Sequence, residues 1–152
     1  MSVEDVALTD PEYRAFAEFR CVLRRFLEFS ETAARDVGLE PQQHQLLLAL
    51  KGLPKAARPT IGTLAERLQL RNHSTVELAQ RSIESGLLKR RPNPLDGREV
   101  LLSITARGER LLQRLSLDHR TEMRSAAPAL IRSLAALTTS DAASTRRTRE
   151  RK

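Results

Sequence analysis

The feature that most restricts how this chain can fold is a change of hydrophobic period between residues 60 and 105. Up to Gly86 the apolar residues recur at helical spacing. Leu87-Leu88-Lys89-Arg90-Arg91 and Glu99-Val100-Leu101-Leu102-Ser103-Ile104 then read as two strands. The residues between them, Pro92 to Arg98, are rich in turn formers and make a hairpin. Thr105 follows as a helix cap, and helical spacing resumes at Ala106. Ahead of the hairpin, two short helices are expected. One runs over about Gly62–Leu68; the other starts at Asn72 or His73, reaches Ser85 and is stopped by Gly86. Gln69-Leu70-Arg71-Asn72 is the turn between them, and Thr60-Ile61 has room for one short strand in front.

Two short helices around a tight turn, followed by a twisted basic hairpin, make a winged helix-turn-helix. The major groove of duplex DNA admits one α-helix, and that helix must be braced by another crossing behind it. Ala65 is the small residue expected where the two approach. On the second helix Val76, Ala79, Ile83 and Leu87 fall on one side and are expected to face inward. Ser74, Glu77, Leu78, Arg81 and Ser85 fall opposite. Arg81 then suits a bidentate pair with guanine and Glu77 a cytosine amine. Ser74 and Thr75, with Asn72 and His73 before them, suit phosphate or nearby DNA. Lys89, Arg90 and Arg91 would run along phosphates. Arg98 at the hairpin tip suits a narrow minor groove, with Asp96 orienting its guanidinium through an ion pair. An exposed short helix and a surface ion pair are the plainer alternatives for these same residues.

The remaining segments are helical. Thr9-Asp10-Pro11-Glu12 has the spacing of a capping box. The helix after it should reach about Arg35, with Phe16, Phe19, Val22, Leu23, Phe26 and Leu27 on its apolar face. Such a face requires another helix or a second subunit. A second helix spans about Gln42 to Leu53. A long helix from Ala106 to about Arg124 carries Leu111, Leu112, Leu115 and Met123. Pro128 is expected to break it and start a last helix to Leu137. The expected fold is therefore mostly α, with about six helices and a β-hairpin wing. Residues 1–38 and 106–137 are assigned as dimerisation helices, 39–105 as the DNA-binding lobe, and 138–152 as a disordered basic tail.

Charge agrees with this division. The chain carries a net +7, and residues 41–105 hold ten basic against five acidic side chains. Residues 1–40 hold five against nine, so the positive charge lies in the proposed DNA-binding segment and beyond. Solvated Arg-rich helices would give the same balance. One cysteine excludes an internal disulfide framework. The acidic start is not a secretory signal and no apolar run is long enough for a membrane span, so the cytoplasm is the expected compartment. No Gly-rich phosphate loop or nucleophile elbow is present, so neither an enzyme nor a cofactor is expected.

The ordered set Leu64-Ala65-Glu66-Arg67-Leu68, Gly86-Leu87, Asp96-x-Arg98 and Ile104-Thr105-x-x-Gly108 resembles the MarR family of bacterial regulators. The resemblance extends over about residues 14–137. It implies a homodimer joined by the first and last helices on a pseudo-palindromic operator. Many members are repressors released by small phenolic or other lipophilic anions, or by oxidation. Residues near Arg24, His44 and the start of the long helix are then pocket candidates. Cys21 offers a redox-responsive alternative, with Arg24 and Arg25 a turn ahead favouring thiolate and Glu18 and Glu28 opposing it. His119 has Met123, not a second His, four residues on, so no metal site is expected. Two departures stand out: Glu40 replaces the usual Thr or Ser cap, and Arg71-Asn72-His73-Ser74 replaces a Ser-rich start to the recognition helix. A non-specific architectural DNA binder and a helical protein-interaction module are the rival functions.

Overall fold

The computed structural model describes residues 7–149, with side chains through residue 139. Residues 1–6 and 150–152, the outer ends of the expected dimerisation segment and basic tail, lie outside the described residues. The elements in order are α1 (Asp10–Asp36), α2 (Pro41–Lys51), α3 (Ile61–Leu68), α4 (Asn72–Glu84), β1 (Leu88–Asn93), β2 (Asp96–Ile104) and α5 (Ala106–Arg149). No helix among the described residues is long and apolar enough to cross a membrane. The chain forms two compact units, Ser30–Asp118 and a second made of Met1–Phe29 with His119–Lys152. Their boundaries fall inside α1 and α5.

Caps set most of these elements. Thr9's N–H and hydroxyl both reach Glu12 Oε2 at 2.7 Å, which starts α1. Pro41 occupies the first turn of α2, where its missing N–H costs nothing. Thr60, with Ile61 a candidate for one short strand, is instead the cap of α3, its hydroxyl accepting from Thr63's N–H at 3.2 Å. Leu102's N–H still reaches Pro59's carbonyl at 2.9 Å, but Pro59 has no N–H with which to extend a ladder. The α3–α4 turn runs through Gln69 in the left-handed region (φ 54°). It is held by Leu70's N–H on Ala65's carbonyl at 2.9 Å.

The core of the 30–118 unit is leucine. Leu46, Leu47, Leu64, Leu78, Leu87, Leu88 and Leu115 are at most 2% exposed. Each such side chain stabilises the fold by roughly 1.5–3 kcal/mol through burial. α2, α3 and α4 therefore pack together, with β1 and β2 closing one side. In the hairpin Leu88 pairs with Ile104 and the antiparallel register runs to Pro92 opposite Val100. It then shifts so that Asn93 faces Asp96. The strands are thus longer than expected, and the loop shrinks to Pro94-Leu95.

In the other unit, the His119 ring meets Phe26 and Phe29 edge-on, at 5.9 and 5.4 Å between centroids. Tyr13, Phe16, Met123, Ile131 and Leu134 are exposed there. Pro128 does not end α5, so the described residues form five helices where about six are expected. A proline removes one backbone bond and crowds the carbonyl four residues back. Here Ala126, Ala127, Ala129 and Leu130, all good helix formers, carry the helix across it. The described part of the expected tail, 138–149, continues the same helix.

The start of α5 is tied to the end of α4. Gly86 adopts φ +70°, Leu87's carbonyl accepts from Thr105's N–H at 3.0 Å, and Thr105's hydroxyl donates to Gly86's carbonyl at 2.6 Å. The same hydroxyl accepts from Gly108's N–H at 3.1 Å and so caps α5. A Cβ on Gly108 would lie 2.4 Å from Leu87's carbonyl oxygen and 2.7 Å from Ile104 Cγ2. Gly108→Ala should therefore destabilise the fold by about 1–3 kcal/mol, although alanine is the better helix former by about 1 kcal/mol. A lowered urea midpoint with an unchanged slope is the expected result.

Candidate nucleic-acid interface

α4 buries Thr75, Leu78, Ala79 and Ser82. Leu78 and Val76 depart from the expected orientation. Leu78, assigned outward, is 1% exposed, while Val76, assigned inward, is 45% exposed. Thr75, a candidate phosphate contact, is fully buried and donates its hydroxyl to Arg71's carbonyl at 3.1 Å. Ser82 likewise donates to Leu78's carbonyl at 2.8 Å. Hydroxyls satisfied four residues back can occupy an apolar face, and this rotates the buried stripe away from the one drawn through Val76. The outward face carries Asn72, His73, Val76, Glu77 and Glu84, with Ser74, Gln80 and Arg81 partly covered beside it.

Arg81 lies on the flank of that face, toward α2. Its Nε and Nη2 donate to Glu40 Oε2 at 3.3 and 3.2 Å. Glu40 is the cap residue of α2, and its own N–H donates to Gln43 Oε1 at 3.0 Å. Gln43 is buried, and its amide reaches Ser85 Oγ at 3.4 Å. Ser85 in turn donates to Arg81's carbonyl at 2.9 Å. In the sequence Glu40 stands out only as a departure from the usual Thr or Ser cap. Nothing local in the sequence indicates its pairing across 41 residues.

Lys89, Arg90 and Arg91 are exposed on β1. Arg90 Nη2 donates to Gln80 Oε1 at 2.8 Å, tying the hairpin to α4. Asp96 behaves differently from expectation. Its Oδ1 accepts Arg98's backbone N–H at 3.0 Å, and no ion pair with the guanidinium exists among the described residues. A two-residue spacing favours this turn bond over a side-chain pair. The carboxylate fixes the backbone under Arg98, and the guanidinium is exposed. At the base of the tip Asn93 is buried. It donates to Glu99 Oε2 at 2.6 Å and accepts Leu95's N–H at 3.0 Å. Glu99 Oε2 also takes Arg58 Nη1 at 2.8 Å. The tip is therefore held at both ends, and Leu95 stands out from it 94% exposed. The sequence does not reveal this network, because Arg58 lies in a loop without periodicity and Asn93 and Glu99 lie at the register shift between β1 and β2, in or beside a run of turn formers.

The other candidates sit apart from this surface. His44 is buried on α2. Arg24 is exposed and Cys21 is half-buried on the part of α1 that belongs to the other unit. No group of three or more metal-ligating side chains occurs among the described residues. In the 30–118 unit an open pocket of about 390 Å³ is lined by Leu48, Lys51, Glu109, Arg110, Leu112 and Gln113, among others.

The MarR family model matches residues 37–99, the stretch that runs from the end of α1 through the wing tip. No curated protein sequence matches the chain. Among solved structures, a MarR family transcription regulator is 24% identical with a TM-score of 0.68, covering 91% of this chain and 90% of its own. A mutant MarR from E. coli complexed with operator DNA is 19% identical with a TM-score of 0.63, covering 80% and 88%. CouR from Rhodococcus jostii RHA1, bound to p-coumaroyl-CoA, is 22% identical with a TM-score of 0.59, covering 68% and 71%. The fold is the MarR winged helix.

The match ends at Glu99, inside the network that braces the wing. Asn93→Ala removes both bonds of a buried amide and should cost roughly 1–3 kcal/mol. Faster amide hydrogen exchange at Leu95, with α2 and α3 unchanged, is the expected signature.

Proposed function

We propose that this chain, whose residues 37–99 carry the MarR pattern, is a transcriptional regulator that binds duplex DNA as a homodimer. The observation that carries this reading is the pairing, on one lobe, of a braced helix with an outward polar face and a basic hairpin with a fixed tip. His73, Glu77 and Gln80 stand where a helix in the major groove meets base edges. Asn72 and Ser74 lie at its first turn, where phosphate is reached. Lys89, Arg90 and Arg91 supply phosphate attraction, and Arg98 reaches for the minor groove. Dimer formation is supported by the exposed apolar side chains Tyr13, Phe16, Ile131 and Leu134, which a second copy would cover. A two-fold dimer reads a pseudo-palindromic site.

The finer role is repression relieved by a small amphipathic anion. The 390 Å³ pocket supports it: Arg110 lines it as a cation beside Lys51, whose ammonium pairs with Glu109 at 2.9 Å, while Leu48 and Leu112 offer apolar surface. Function then rests on binding and not on catalysis.

Selection from random duplexes tests the reading. A two-fold consensus supports a regulator. Binding without preference makes the protein architectural, and no binding leaves a protein-interaction module. On the selected operator, Arg98→Ala should weaken binding by about 1–3 kcal/mol per subunit. Titration at several salt concentrations should show a steep loss of affinity, as for about 6–10 neutralised phosphates.

A further inference from the structure

Arg81 is the one cation on the exposed flank of α4 beyond its first turn, and it is already engaged. Glu40, Gln43, Ser85 and Arg81 close a ring. Glu40's N–H reaches Gln43 Oε1 at 3.0 Å, and Gln43's amide reaches Ser85 Oγ at 3.4 Å. Ser85 donates to Arg81's carbonyl at 2.9 Å, and Arg81 returns to Glu40's carboxylate at 3.2 and 3.3 Å. An exposed ion pair usually contributes little, because two long side chains must be ordered to form it. Here the backbone at both ends is fixed through Gln43, which is only 3% exposed, so part of that ordering is supplied by the fold. The carboxylate also sits at the N-terminus of α2, where the helix dipole favours a negative charge.

We infer that Glu40 is a specificity-determining positioning residue. It holds Arg81 against α2 and so withholds that guanidinium from the phosphates of non-cognate DNA. This inference rests on the DNA-binding reading above. Phosphate contacts raise affinity for every sequence alike, whereas discrimination comes from base edges. A cation on the reading helix that is free to seize any phosphate therefore raises background binding without raising selectivity. A carboxylate that competes for it does the reverse. The remaining outward charges of α4 are consistent, since Glu77 and Glu84 are both acidic. General attraction is left to the wing.

The test uses the full chain, a selected operator and a random duplex of the same length, with Glu40→Gln, Arg81→Ala and the double variant. Glu40→Gln keeps the side-chain length and an uncharged amide, and thermal melts identify any loss of fold. Freed from its partner, Arg81 should add one phosphate contact per subunit. Random-duplex affinity should rise about 3–10-fold and the salt slope should steepen by about one per subunit. The operator-to-random ratio should fall. Ethylation interference should show one new phosphate per half-site, absent from the double variant. The step from Arg81→Ala to the double variant should give a smaller gain than the step from wild type to Glu40→Gln. Equal gains in the two steps, with no new phosphate, mean a general charge effect and overturn the inference. So does an unchanged ratio and slope in Glu40→Gln while the wild type binds its operator. Failure of the wild type to bind any DNA overturns the reading beneath it instead, and the two failures are distinguishable.

Discussion

The lobe depends on the knot where α4 ends and α5 begins. Gly86 turns the chain through a positive φ, Leu87 enters the core, and Thr105 returns to both their carbonyls. Gly108 then lets α5 approach Leu87's backbone more closely than any side chain would allow. Three elements meet within a few residues there, and the direction of each follows from the bonds. α4 cannot turn without disturbing the buried Leu87. The wing cannot swing without breaking the Thr105 bonds. A few short hydrogen bonds and one absent methyl group do what a larger core would do in a longer domain.

Much of this was legible in the sequence because it is written in residues with restricted roles. The Thr9–Glu12 box, the Gly86 stop and the Thr105 cap stand where expected, and the hairpin that ends at Ile104 forms with longer strands. The misreadings share a cause. The inward face of α4 was drawn through Val76, but the helix buries Thr75 and Ser82, whose hydroxyls are silenced by local carbonyls. Polar by composition, they are nearly apolar in place. Asp96 was assigned to Arg98's side chain and bonds its backbone. Thr60 looked like strand and serves as a cap. In each case a short polar side chain chose the nearest backbone partner, which periodicity does not register.

Long-range polar pairings were illegible for a different reason. Glu40 with Arg81, and Arg58 with Glu99, are each 41 residues apart, and Lys51 with Glu109 is 58 apart. Only packing decides which of the chain's charges meet. Pro128 failed as a signal because a proline's local cost is finite and the alanines around it favour continuation.

On the proposed DNA-binding reading, the charge distribution on the lobe separates attraction from reading. Lys89, Arg90, Arg91 and Arg98 sit on the hairpin, whereas α4's exposed face carries Glu77 and Glu84 and has its Arg81 engaged by Glu40. If the helix itself were the electrostatic anchor, phosphates would draw it in equally on every sequence, and base contacts would add little contrast. With acids on the helix, insertion into a groove brings carboxylates near phosphates and is repaid only where bases offer partners, such as a cytosine amine for Glu77. The wing must then supply the general attraction. That explains why its tip is braced through Asn93, Glu99 and Arg58 when a solvent-exposed hairpin could otherwise fray. A flexible anchor would spend its contact energy on becoming ordered, and the rigid one delivers Arg98 at a fixed distance from α4.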